Sequence, residues 1–184
     1  IKDVNGRLEL IKTFPNNVRV YVDFAHTPDA LLKSLKALKS DRKDNITVVF
    51  GCGGDRDFKK RPLMAKIASS HCKKIFITDD NPRSEKPSKI RKQIIRNIKN
   101  PNCYDIGNRT EAIKNAILRA DPNEIILVAG KGHEEKQIYK NKIIKSSDKK
   151  IIKSLKIKIK KISSREQTFI QNKKILQIFK KNFK

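Results

Sequence analysis

Three stretches of this chain are apolar almost without interruption yet too short for buried helices: residues 46–50 (ITVVF), 75–78 (IFIT) and 125–129 (IILVA). None alternates polar with apolar, so none suits a strand with one face in water. Such strands belong to a sheet covered on both sides. Residues 18–24 are also strand-like. Between these runs the spacing turns helical. Thr27-Pro28 offers an N-cap and a proline at the first helical position, with Leu31, Leu32, Leu35 and Leu38 following at helical spacing. Pro62 opens a second helix with Leu63, Met64, Ile67 and Ala68 on one face, and Pro87 a third with Ile90, Ile94, Ile95 and Ile98. Residues 103–106 suit a short strand, and Thr110 can cap a helix that turns Ile113, Ala116, Ile117 and Ala120 inward. This βα alternation predicts an α/β, Rossmann-like fold: a mostly parallel sheet with helices on both faces. Residues 137–145 read as a hairpin turning near Asn141, placed at a sheet edge.

The ends of the chain differ from its middle. Ile1 opens it and Met64 is its only methionine, so a longer polypeptide is expected upstream. Residues 1–15 are read as a hinge or linker from a preceding domain and residues 16–148 as one domain. Residues 149–184 are read as a basic Lys/Ile-rich tail, helical in part. That tail carries 13 Lys/Arg and one Glu, so about half of the +25 net charge sits in the last fifth of the chain. Of the 44 basic residues 33 are Lys, and Ile and Asn are also abundant, which matches an A/T-rich codon bias as well as it matches polyanion binding. Trp is absent and the three tyrosines, Tyr21, Tyr104 and Tyr139, are scattered. A basic nucleic-acid-associated domain, the alternative from another class, would interleave aromatics with its charges, so no nucleic-acid partner is expected. No run approaches 18 apolar residues and there is no signal-peptide pattern. Three cysteines without metal-type spacing fit a reducing cytoplasm better than a disulfide framework.

In an open α/β sheet, ligands bind beyond the carboxyl ends of the strands. Four loops follow strands here. Asp79-Asp80-Asn81-Pro82-Arg83 sets acidic, amide and guanidinium groups side by side, with Pro82 stiffening the backbone. That offers an ammonium site beside a carboxylate site, which suits a zwitterionic amino acid; Asn-Pro also begins ordinary turns. Gly51-Cys52-Gly53-Gly54-Asp55-Arg56-Asp57 has three glycines in four residues and holds Arg56 between two acids. It suits an anion or a carboxylate, and it also suits a tight turn with a surface ion pair. Asp23 to Asp29 places Asp23 and His26 where either could reach a nucleotide or a metal, although helix capping explains half of that loop. Gly130-Lys131-Gly132-His133-Glu134-Glu135 brings glycines for close backbone approach and Glu134 for an ammonium. Neither a catalytic triad nor a set of metal ligands is visible, so no catalytic residue and no metal site are assigned to this segment.

Gly6-Arg7-Leu8-Glu9, the Val22-to-Leu31 block, the 51–62 block, Asp80-Asn81-Pro82-Arg83 and Ala129-to-Glu134 stand together in one order. Together they resemble the C-terminal domain of the Mur ligase family, in its diaminopimelate-adding branch. The resemblance implies a cytoplasmic, ATP-dependent ligase of peptidoglycan synthesis. Such an enzyme joins meso-diaminopimelate to UDP-N-acetylmuramoyl-L-Ala-D-Glu through an acyl phosphate. It implies that ATP and Mg²⁺ are held mainly by a central domain not present here, and that this segment alone is inactive. Arg7, Asp23 and His26 would contact ATP. Arg56, Asp80, Asn81, Pro82, Arg83, Gly130 and Glu134 would hold diaminopimelate, with Arg83 on its distal carboxylate. A lysine-adding relative is the nearest alternative, and residues 80–83 speak against it. Phe24 stands where the family usually has Tyr, and Ser146-Ser147-Asp148-Lys149 matches a late acidic motif only loosely.

Overall fold

The computed structural model describes residues 6–39 and 45–156. Strands β1 (Glu9–Phe14) and β2 (Val18–Asp23) pair antiparallel across a tight turn at Pro15–Asn17. Asn16 and Asn17 take positive φ there, a conformation asparagine adopts more readily than most residues. The βα alternation then runs α1 (Pro28–Leu38), β3 (Ile46–Phe50), α2 (Lys60–His71), β4 (Lys74–Ile77), α3 (Pro87–Ile95), β5 (Cys103–Asp105), α4 (Arg109–Leu118) and β6 (Ile125–Ala129). A hairpin of β7 (Lys136–Tyr139) and β8 (Lys142–Lys145) and a helix α5 (Asp148–Ser154) follow.

The six-stranded sheet has the order β1-β2-β6-β3-β4-β5, parallel everywhere except between β1 and β2. Stepping from β2 to β3, β4 and β5 moves one way across the sheet, and the step from β5 to β6 moves back. Right-handed crossovers therefore put α1, α2 and α3 on one face and α4 on the other. The packing agrees. Leu31, Leu35, Met64, Ala68, Ile90 and Ile94 join Val48, Phe50, Ile75 and Leu127 in one core layer. Ala112, Ile113, Ala116 and Ile117, with Ile152 of α5, join Val20, Val49, Phe76 and Ile126 in the other. Neighbouring strand residues thus face opposite layers, and each fully buried aliphatic side chain contributes about 1.5–3 kcal/mol.

Four readings from sequence need adjustment. The hairpin exists, turning at Lys140 and Asn141, but it forms its own two-stranded sheet rather than an edge of the main one. Its backbone meets the third loop at a β-bridge between Arg83 and Tyr139, and side-chain bonds from Gln137 and Tyr139 to Asp79 add to it. β6 lies between β2 and β3, so the chain leaves the sheet at its centre, and the hairpin that follows bonds to the third loop rather than to an edge strand. Within the expected linker, Glu9–Phe14 forms the edge strand β1, whose single buried residue is Phe14. Such a half-exposed strand carries little apolar signal. Asn108, not Thr110, caps α4, accepting from Glu111 N–H at 3.1 Å. Of the expected tail, α5 covers Asp148–Ser154, and the residues past 156 lie outside those described. Thr27 caps α1 as read from sequence. No helix among the described residues is long and apolar enough to cross a membrane.

Candidate functional site

Strands β2, β3, β4 and β6 all end on the same side of the sheet, and their register fixes how the loops leave. Asp23 pairs with Ala129 and Phe50 with Ile77. Gly130 N–H donates to Asp23 C=O at 3.1 Å, and Thr78 N–H to Phe50 C=O at 3.0 Å. A Cβ on Gly51 would sit 2.2 Å from Thr78 C=O, so the close approach of these two loops requires glycine. All four loops meet around one cleft of about 420 Å³, lined by Phe24, His26, Gly51, Cys52, Gly53, Arg56, Asp57, Lys60, Asp80, Asn81, Arg83, Gly130 and Glu134 among others.

The third loop is held by its own side chains. Asn81 is buried; its amide donates to Glu134 at 2.9 Å and its carbonyl accepts from Ile138 N–H at 2.9 Å. One residue thereby ties the third loop to the fourth and to the hairpin, and Asp there would lose the donor. Gln137 donates to Asp79 C=O at 3.1 Å and the Tyr139 hydroxyl to the Asp79 carboxylate at 3.2 Å, so the hairpin braces this loop from above. Arg83 has a φ of +50°, a left-handed conformation that costs a non-glycine residue about 1–2 kcal/mol. Its N–H donates to Ile138 C=O at 3.0 Å, and its NH1 to the carbonyls of Gly54 at 2.9 Å and Asn81 at 3.2 Å. These bonds hold the turn and engage only NH1 of the guanidinium among the described residues.

The second loop is locked to the third. Gly54 N–H donates to Asn81 C=O at 2.9 Å, and Asp55 accepts from Ser84 N–H at 3.1 Å and Ser84 O–H at 2.5 Å. Those two Ser84 bonds hold the Asp55 carboxyl below its ordinary range. Arg56 is exposed, and only its NH1 is bonded, to Asp55 C=O at 3.3 Å.

Buried charge underlies the fourth loop. Arg109 and Asp148, both almost wholly inaccessible, pair through two bonds of 2.8 Å, and Arg109 also donates to Ala129 C=O at 3.0 Å, the residue before Gly130. Lys131 is buried beside them and bonds Lys136 C=O; burial and then Arg109 lower its pKa. Burial pushes the Asp80 carboxyl up while Arg109 and Lys131 pull it back. Gly130, with φ of +113°, leaves room for that carboxylate: a Cβ there would lie 2.7 Å from Asp80 Oδ2. At the open end, Phe24 lies between the His26 and His133 rings, at centroid distances of 4.6 and 5.5 Å.

The chain matches the family model described as Mur ligase, glutamate ligase domain, over residues 6–132. The chain belongs to the Mur ligase family. It is 44% identical over 163 residues to the UDP-N-acetylmuramoyl-L-alanyl-D-glutamate–2,6-diaminopimelate ligase of Buchnera aphidicola subsp. Schizaphis graminum, a match covering 88% of this chain and 32% of that protein. The Rickettsia conorii ligase of the same name is 46% identical over 155 residues, covering 83% and 32%. A solved structure of a ligase of that name superposes with a TM-score of 0.75 at 36% identity, covering 84% of this chain and 32% of the other. This Mur ligase segment therefore spans about a third of the length of the relatives it matches.

Of the residues read from sequence, Arg56, Asp80, Asn81, Arg83, Gly130, Glu134 and His26 line the Mur ligase cleft together. Pro82 lies behind it, its carbonyl against Gly54. Asp23 sits below the floor, buried, its carboxylate taken by the Ser34 hydroxyl. Arg7 is exposed beside Gly6, whose backbone packs on Gly132 and His133 and so sets the first segment against the fourth loop. Sequence reasoning missed Lys60, which lines the cleft and donates to His26 C=O at 2.9 Å. It also missed the buried Arg61 and Arg109, because a lysine-rich background hides which cations are engaged. Among the described residues no three His, Cys, Asp or Glu gather as a metal site.

Proposed function

We propose that this chain is the C-terminal, amino-acid-presenting domain of an ATP-dependent cytoplasmic ligase. That enzyme would add meso-diaminopimelate to UDP-N-acetylmuramoyl-L-Ala-D-Glu in peptidoglycan synthesis. The observation that carries the reading is the pairing, in one cleft, of two guanidiniums with spare donors, Arg56 and Arg83, and two carboxylates, Asp80 and Glu134. Diaminopimelate presents the complement: two carboxylates and two ammonium groups. A planar guanidinium takes a carboxylate through two parallel bonds, a fork lysine cannot form. Asn81 holds Glu134 in place, and Gly130 keeps the backbone low enough for a ligand to approach Asp80.

ATP and Mg²⁺ would supply phosphoryl transfer to the D-glutamate carboxylate, held mainly by a domain outside this chain. The residues here that suit ATP are His26 at the cleft and the exposed Arg7; Asp23 would act from behind, through α1. This domain's own contribution is orientation of the attacking amine, an effect worth roughly 7–11 kcal/mol in favourable cases. In the full-length enzyme, Arg83→Ala should lower kcat/KM for diaminopimelate at least about tenfold, given about 1.5–3 kcal/mol for a charge-assisted bond. The loss for lysine, which lacks the distal carboxylate, should be much smaller. Equal losses with both amino acids would remove Arg83 from substrate reading, and a wild type that prefers lysine would refute the assignment.

A further inference from the structure

Behind the cleft lies an ion pair that touches no ligand position. Arg61, in the first turn of α2, is 1% exposed. Its guanidinium donates twice to Glu85, at 2.7 and 3.0 Å, to Gln93 of α3 at 2.5 Å, and to Gly53 C=O at 3.2 Å. Glu85 accepts in addition from Asp55 N–H at 2.8 Å. It also ends the turn that bears Arg83, its own N–H donating to Pro82 C=O at 3.0 Å. Arg61 holds the Glu85 carboxyl below its ordinary range.

The two ligand-facing guanidiniums rest on neighbouring carbonyls: Arg83 on Gly54 and Arg56 on Asp55. Those carbonyls belong to the segment that the ion pair brackets, with Arg61 on Gly53 C=O and Glu85 on Asp55 N–H. One three-residue stretch of backbone thus sets the distance between Arg56 and Arg83, and the ion pair sets that stretch. Removing a charge from water is costly, and such pairs are poor sources of stability compared with apolar packing. This pair instead supplies geometry to the two loops it joins.

We infer that Arg61 and Glu85 are positioning residues that fix the spacing of the Arg56 and Arg83 guanidiniums, and so select the separation of the two carboxylates in the amino acid. The inference rests on the reading of the cleft as a diamino-dicarboxylic acid site. Neither residue touches substrate; both act through the loop backbone.

The test uses the full-length enzyme with diaminopimelate and its homologues one methylene shorter and one longer. Glu85→Gln keeps the shape but turns an amide N–H toward Arg61. KM for diaminopimelate should rise about tenfold while kcat at saturation stays within about threefold. The preference for diaminopimelate over the longer homologue should shrink at least about fivefold, and KM for ATP should hold. Ser84→Ala, at an exposed hydroxyl on the same pair of loops, should shift KM the same way by about threefold with no change in melting temperature. If Glu85→Gln fails to fold, Arg61→Lys decides, since it keeps the buried charge but loses the fork to Glu85. KM for diaminopimelate should then rise at least about fivefold with KM for ATP unchanged, and an unmoved KM would overturn the inference. Unchanged KM and unchanged homologue preference would overturn the inference, as would KM values for ATP and diaminopimelate rising together. A wild type that does not use diaminopimelate would instead refute the functional reading beneath it.

Discussion

Gly54→Ala tests the joint between the second and third loops with one methyl group. A Cβ on Gly54 would lie 2.0 Å from Pro82 C=O and 2.8 Å from the carbonyl carbon, both backbone atoms in a turn closed by Glu85 N–H. No rotamer relieves that contact, so the two backbones must part by about 1 Å or more to reach ordinary van der Waals distance. Two bonds span the same gap: Gly54 N–H to Asn81 C=O, and Arg83 NH1 to Gly54 C=O, each at 2.9 Å. The first is worth about 0.5–1.5 kcal/mol and the second about 1.5–3 kcal/mol. Their loss, with Arg83 set adrift, amounts to about 2–4 kcal/mol against amino-acid binding, or roughly 30- to 1000-fold in affinity. Steady-state kinetics and calorimetric titration of diaminopimelate into the full-length variant would read it. On the proposed reading the KM for the nucleotide-dipeptide should change little. An alanine variant with wild-type KM for diaminopimelate would show that the loops separate without consequence, and the argument from Arg83 geometry would fail with it.

Asp148→Asn should cost about 3–5 kcal/mol of this domain's unfolding free energy, since it leaves the inaccessible Arg109 without its counter-charge; an unmoved urea midpoint would contradict that. Burial pushes the Cys52 thiol up to about 12 and raises Cys72 as well, while the half-buried Cys103 goes up to about 11. At pH 8 all three are therefore thiols in the folded state, and iodoacetamide should modify Cys103 first, with Cys52 and Cys72 reacting only in urea. Peptide mass spectrometry reads the order, and rapid native labelling of Cys52 would mean that the cleft floor opens.

The sheet and its helices were legible because buried parallel strands advertise themselves: residues 46–50 and 125–129 coincide with β3 and β6 to the residue. Prolines at positions 28 and 87 marked two helix starts for the same local reason. That Arg56, Asp80, Asn81, Arg83, Gly130 and Glu134 would gather at one cleft was legible from strand-end logic and from motif resemblance. What could not be read was pairing over distance. Nothing in sequence tells that Arg61 meets Glu85, that Arg109 meets Asp148 across 39 positions, or that Ser34 occupies Asp23. In a chain with 44 Lys and Arg, charge type carries no hint of burial. The hairpin's position was misjudged for a related reason: strand order, not strand pattern, decides where an edge is.

That strand order has a consequence for how the chain reaches its native state. β6 is the last strand of the main sheet to be made, yet it occupies a central place between β2 and β3. Until Ile125–Ala129 emerges, the β1–β2 pair and the β3–β4–β5 group have no bonds to each other, and each shows an unpaired edge with apolar side chains on both faces. Insertion closes both edges at once, joining segments about a hundred residues apart, a slow kind of step because the loop must close before any contact rewards it. A nascent chain in which those two groups had formed would carry two unpaired edges until β6 joined them. A chain cut short before Ile125 would lack the strand that joins the two groups, so it should aggregate through its open edges rather than fold as a smaller version of this domain.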